Sequence, residues 1–172
     1  YHIDVLTLMD DLAILYRKLN REDECISMLT SLLELRRNML PGDHLEIVET
    51  AQRLADAYTR VNKWDLALPL YEECMRKRRV MCGSDHHDTL DSMAVLAFTH
   101  QKLGNNKLAI KFYEESLHGR TIALGSDHPT TEYNMQRLAD LFYVTEQFDR
   151  ALPLYEFLFV QNKVMKKENS PE

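Results

Sequence analysis

The chain has 172 residues, 45% of them apolar, with only 5 Gly and 5 Pro. That is enough apolar surface for a continuous core, and too few turn formers for an all-β fold. A net charge of −6 disfavours nucleic acid as the main partner, because phosphate binding needs a basic footprint, and no apolar run approaches the ~20 residues of a membrane span.

In chain order, the first predicted helix carries Met9, Leu12, Ala13 and Tyr16 at i, i+3, i+4, i+7, one apolar stripe of an amphipathic helix. A second helix carries Cys25 and ends in Arg36-Arg37, followed by a loop with Gly42-Asp43-His44. The pattern then returns in 42-residue phase. Ala51, Leu54, Ala55 and Tyr58 make the third helix, Val61-Asn62-Lys63 a turn, and Ala67, Leu70, Tyr71 and Cys74 the fourth. Pro69 requires that this fourth helix start no earlier than about Lys63, and Pro153 sets the same limit at about Gln147. Met93, Leu96, Ala97 and His100 continue the series, as do Ala109, Phe112, Tyr113 and Ser116. The last pair carries Met135, Leu138, Ala139, Phe142 and then Ala151, Leu154, Tyr155, Leu158. Each second helix is expected to run for about 18 residues, or about 27 Å.

The junctions follow one grammar. In Leu124-Gly125-Ser126-Asp127-His128-Pro129, Gly125 can end a helix at positive φ, Asp127 can cap the next one and Pro129 can open it. Gly83 with Asp85, and Gly42 with Asp43, repeat the arrangement. The basic clusters Arg36-Arg37, Arg76-Lys77-Arg78-Arg79 and His118 with Arg120 sit at helix C-termini. There cations meet the negative end of the dipole and solvate the surface, the other reading being a site for an anionic partner. Cys25, Cys74 and Cys82 fall at phases held elsewhere by small or medium residues and read as packing residues. An odd number of thiols with no CxxC fits a reducing, cytoplasmic compartment.

A fixed period of this size marks stacked helical hairpins, none of which can bury its apolar face alone. Leu-Ala-x-x-Tyr, then a small residue followed by x-x-x-Tyr, then Leu-Gly-Ser-Asp-His-Pro, resembles a tetratricopeptide repeat of the 42-residue kinesin-light-chain type. The resemblance implies an all-α fold, an α-α superhelix of about four helix-turn-helix repeats and eight helices. A single array over 1–172 follows, with repeats at about 3–42, 45–84, 87–126 and 129–168. Both ends fall at loop phase, so the expectation is a fragment of a longer protein. The resemblance also implies a concave groove, lined by the first helix of each repeat, that holds an extended or short helical segment of a partner protein. The position before Leu-Ala, usually Asn in that family, holds Asp11, Arg53, Val95 and Arg137. That directs the expectation to peptide binding in general rather than to kinesin cargo.

The groove face is the stripe opposite the packed one, and its candidate residues are Arg53, Arg60, Val95, Phe98, Lys102, Tyr133, Arg137 and Asp140. A pocket around Phe98, Val95 and Tyr133 would take an apolar anchor, with Arg53 and Arg137 pairing carboxylates of the peptide. The opposing reading is that Glu49–Arg53, Asp56–Arg60 and Arg137–Asp140 satisfy themselves along their own helices and that Phe98 fills space. No HExxH, CxxC or Gly-rich phosphate loop is present. Asp85-His86-His87-Asp88 reads as loop capping rather than a metal site, so no enzyme, cofactor or metal is expected. A self-association or intramolecular docking array within a larger enzymatic or regulatory protein is the alternative function.

Overall fold

In a computed structural model the backbone is described for residues 3–168 and the side chains for residues 5–163. The chain ends on which the fragment reading rests lie outside the described residues. Eight helices follow one another: α1 Ile3–Lys18, α2 Glu22–Met39, α3 Leu45–Arg60, α4 Trp64–Cys82, α5 His87–Lys102, α6 Asn106–Leu124, α7 Pro129–Val144 and α8 Phe148–Glu168. Among the described residues there is no strand. The all-α, helix-turn-helix class is therefore the one the sequence predicts. α4 and α8 begin at Trp64 and Phe148, as the prolines demand.

The chain forms two compact units, Tyr1–Gly83 and Ser84–Glu172. In the first, α1 packs on α2, α2 on α3 and α3 on α4. Its core gathers Ala13, Cys25, Leu29, Leu33, Ile47 and Ala51. In the second, α5 packs on α6, α6 on α7 and α7 on α8, around Ala97, Ala109, Tyr113, Leu138, Leu141 and Ala151. The phase-locked small residues Ala13, Ala55, Ala97 and Ala139 are all buried. A larger side chain there would hold neighbouring helices apart.

Each hairpin turn closes on its own backbone. Asn20, Asn62, Gly104 and Glu146 share one phase and all have positive φ. The next residue donates back across the turn, Lys63 N–H to the Tyr58 carbonyl at 2.9 Å and Gln147 N–H to Phe142 at 2.8 Å. This Schellman geometry satisfies the carbonyls that a helix end leaves free.

At the junctions Gly83 and Gly125 end α4 and α6 at φ 95° and 91°, as expected, and Pro129 opens α7. Gly42 does not follow suit, for α2 ends on Leu40 in extended conformation. The N-cap is the histidine rather than the aspartate: His44, His86 and His128 each accept the backbone N–H two residues on, at 3.3 Å, through Nδ1. The extended backbone at those three positions places the imidazole, not the preceding carboxylate, over the open helix end.

Three further expectations are corrected. Cys82 is exposed, whereas Cys25 and Cys74 are buried and donate to the Ala13 and Val48 carbonyls. Arg36 and Arg120 are only 7% and 6% exposed, so these members of the basic clusters are core-lining residues and not solvating ones. On α1, Leu12 of the predicted packed stripe is exposed.

Candidate functional site

The candidate residues lie on the first helices of the hairpins, and the two units treat them differently. In the first unit Asp10 of α1 accepts from Arg36 of α2 at 2.7 Å and from Arg53 of α3. Arg36 also reaches the Thr50 hydroxyl and, at 3.1 Å, Glu46. Arg60 donates to Glu22 at 2.8 Å. The local pairs Glu49–Arg53 and Asp56–Arg60 are thus replaced by bonds to the preceding hairpin. Asp56 instead accepts from the Tyr71 hydroxyl at 2.6 Å and from Gln52 at 3.1 Å. The cavity left beside Arg53, Arg60, Ile14 and Leu29 is about 20 Å³, room for a water and not for a side chain.

In the second unit Phe98 lies between two cations. The Arg137 guanidinium is 4.8 Å from its ring centroid and the Lys102 ammonium 5.2 Å. Arg137 also approaches the Tyr133 ring at 5.9 Å, and its Nε is buried without a hydrogen-bond partner. Among the described residues neither Lys102 nor Arg137 forms an ion pair with a carboxylate. Burial pushes the Tyr113 phenol up, and the adjacent Arg137 offsets part of that rise. Asp140 is engaged elsewhere, accepting from Tyr155 at 2.8 Å and Gln136 at 2.7 Å. Burial first, and then that carboxylate, push the Tyr155 phenol up to about 12.

Beside this cluster an open groove of about 410 Å³ runs along Val95, Ala94, Pro129 and Tyr133, with the Asp91–Arg120 ion pair on its wall. Val95 and Tyr133 therefore share the groove, while Phe98, Lys102 and Arg137 form the adjoining cation–aromatic cluster that Tyr133 touches through Arg137. The groove is underlaid by a buried polar chain: Asn134 donates to the Ser116 hydroxyl, which donates to the Leu90 carbonyl, both at 2.8 Å.

Sequence reasoning missed Asp10, Arg36, Arg120, Ser116 and Asn134 as members of these two faces. A signal existed in the phase itself. Ser116 stands where Leu32 and Leu158 stand, and Asn134 where Leu8 stands. A polar residue at an apolar phase calls for a buried partner.

A model of the tetratricopeptide repeat matches residues 4–79, 46–120 and 88–156. Comparison with curated proteins gives no match. Among solved structures, the chain is similar to the nearly identical TPR-like repeats of a Podosopora anserina protein assigned as a kinesin light chain. The identity is 21% over 99% of this chain and 79% of that one, with a TM-score of 0.81. BtubC (BKLC) from P. vanneervenii is similar at 14% identity over 97% of this chain and 66% of that one, with a TM-score of 0.84. MamA follows at 14% identity, 94% and 81% coverage and a TM-score of 0.69. Likeness at these identities speaks for the fold alone.

Proposed function

This chain belongs to the tetratricopeptide repeat family, and from that premise we propose that it is a non-catalytic adaptor binding a short segment of a partner protein on the α5/α7 face. Proteins of this family are in general protein–protein interaction modules. The groove beside Val95 and Tyr133 takes an apolar side chain of the segment. Arg137 and Lys102 meet an adjacent carboxylate, Arg137 through its planar fork.

One observation carries this reading: two cations converge on Phe98 with no carboxylate of their own. A cation on an aromatic face gains about 0.5–2 kcal/mol, less than a desolvated bidentate pair with a ligand can add, so the arrangement is held ready and not used up. Tyr133, 64% exposed, is the kind of aromatic that anchors interfaces. Asp140 is already engaged by Tyr155 and Gln136. Arg53 and Arg60 take part only where a ligand displaces Asp10 and Glu22. Among the described residues no helix is long and apolar enough to cross a membrane. A reducing cytoplasm, in which the three free cysteines stay thiols, is the compartment that goes with this reading.

The test is calorimetry with a segment selected on a peptide array. Arg137→Ala and Phe98→Ala are each expected to weaken binding about tenfold or more, equal to about 1.4 kcal/mol. Ala94→Asp, which gives Arg137 a carboxylate at the phase of Asp10, is expected to act in the same direction. Undiminished affinity in both alanine variants would remove the site.

A further inference from the structure

Three arginines, Arg36, Arg78 and Arg120, recur at one phase near the ends of α2, α4 and α6. In the first unit each is met by an oxygen on the helix before it, 26 residues back in the chain. Arg36 donates to Asp10 at 2.7 Å and Arg78 to Gln52 at 3.2 Å. In the second unit that position is Ala94, which has no side-chain oxygen to offer. Arg120 is nevertheless as deeply buried as Arg36.

Asp10 does more than neutralise Arg36. Its other oxygen accepts from Arg53, so one carboxylate bridges two arginines. Arg36 also meets Glu46. The counterparts of these two carboxylates are Ala94 and Thr130, and both line the open groove of about 410 Å³ together with Arg120 itself. The counterpart of Arg53 is Arg137. Among the described residues Arg120 donates only through Nε to Ser116 at 3.3 Å and through Nη2 to Asp91. The Asp91 side chain is itself 57% exposed. Nη1 of Arg120 donates to none of the described residues. A guanidinium this buried is costly to leave short of acceptors, and it lines a groove from which both carboxylates of the first unit have been withdrawn.

We propose that this groove receives an acidic side chain of the bound segment, a glutamate or aspartate seated beside Ala94. There it bridges Arg120 and Arg137 as Asp10 bridges Arg36 and Arg53. The inference rests on the α5/α7 binding reading and adds to it the chemistry of the ligand and a second arginine. Arg120 and Arg137 both present planar forks of N–H donors, the arrangement that suits a carboxylate. The stem of the acid and its apolar neighbour pack on Val95 and Tyr133, which keep water from the pair. A glutamine or asparagine of the same shape is rejected, because it brings no charge and turns an amide N–H₂ towards a cation. The first unit carries its carboxylate on its own chain; the second takes one from outside.

The test uses an array of short peptides, acetylated and amidated at their ends, each with one Glu or Asp among apolar residues and printed beside its Gln or Asn twin. Blocked ends leave the side chain as the only carboxylate. The array is read with the wild-type chain, and the best pair is taken to calorimetry. The acid is expected to bind about tenfold or more tightly than its amide twin. Ala94→Asp supplies the missing carboxylate from within and leaves both arginines in place. There the acid–amide difference is expected to fall to about twofold or less, which is the coupling a double-mutant cycle reads. Ala94→Gln, which copies Gln52, is expected to fall between. Ala94 lines an open groove, so both variants retain the fold, and circular dichroism checks it. Twins that bind the wild-type chain equally overturn the inference, while the α5/α7 reading stands as long as Arg137→Ala and Phe98→Ala weaken both. An acid preference that survives Ala94→Asp undiminished also overturns it, placing the carboxylate elsewhere on the face. Binding indifferent to Phe98 and Arg137, or no binding by any peptide, removes the reading and the inference together.

Discussion

Arg53 and Arg137 occupy the same phase of the repeat and end in opposite circumstances. Arg53 is tied to the Asp10 carboxylate; Arg137 lies on the rings of Phe98 and Tyr133. Two neighbours decide the outcome. Asp10 in the first unit becomes Ala94 in the second, and Ile14 becomes Phe98. Removing the carboxylate and supplying a ring converts an internal ion pair into a cation stacked on aromatic rings with no carboxylate of its own. The first unit has spent its arginine on an internal ion pair, while the second has left its own without a carboxylate. A binding face can thus be made in a repeat protein by withdrawing a partner, with no change in the arginine itself.

The largest expected effect tests whether the first unit's ion cluster is structural. Asp10→Ala leaves Arg36 nearly buried with one carboxylate fewer, and should cost about 2 kcal/mol in urea unfolding. Asp91→Ala, which removes the exposed partner of Arg120 while Ser116 remains, should cost about 1 kcal/mol or less. Equal losses would erase the contrast between the units.

An intermediate effect concerns the tyrosine–aspartate clasps, one in each unit. Tyr71→Phe removes a buried bond to Asp56 and should cost about 1.5 kcal/mol, and Tyr155→Phe about 0.5–1 kcal/mol. Both phenols are pushed up on folding, chiefly by burial, Tyr155 from the ordinary 10.0 to about 12. A raised folded pKa means that the stabilisation is complete below about pH 10 and is lost as pH rises through about 12. Following phenolate absorbance during alkaline titration should show Tyr155 ionising before Tyr71. The reverse order would mean that the second unit holds its clasp more tightly than the first.

The smallest effect sharpens the comparison at the hairpin turns. The first unit places Asn at both positive-φ positions, and the second places Gly104 and Glu146. Glu146→Asn should stabilise by about 0.5–1 kcal/mol, because glutamate gains no local hydrogen bond that offsets the left-handed conformation. A thermal melt showing no gain would imply that the turn is dominated by its backbone bonds alone.

Much of the fold was legible in the chain because its signals are local. The stripe spacing gave the helices, Pro69 and Pro153 set where α4 and α8 begin, and Gly83 and Gly125 marked the helix ends. What escaped was set by residues a repeat apart. Arg53 was read against Glu49, four positions away, but its partner Asp10 is 43 residues off. Arg36 and Arg120 sit near helix C-termini, where solvated cations are the rule, and only the following or preceding first helix makes them interior. The histidine caps were hidden because Asp and His are adjacent at every junction, and only the extended backbone decides which side chain covers the helix end. Of the candidate site, Phe98, Tyr133 and Arg137 were recognisable as a group. The polar chain from Asn134 through Ser116 was not, since it is visible only when the phases are laid side by side.

The self-closing turns carry a consequence for how such a molecule changes over generations. Each bend is completed by main-chain groups within a handful of residues, so its shape asks of the side chain at the joint little more than tolerance of a positive φ. Asparagine, glycine and glutamate have all been accommodated at one joint. A whole module can then be copied, lost or transplanted with its hinges intact, leaving selection free to rewrite only the faces that other molecules meet.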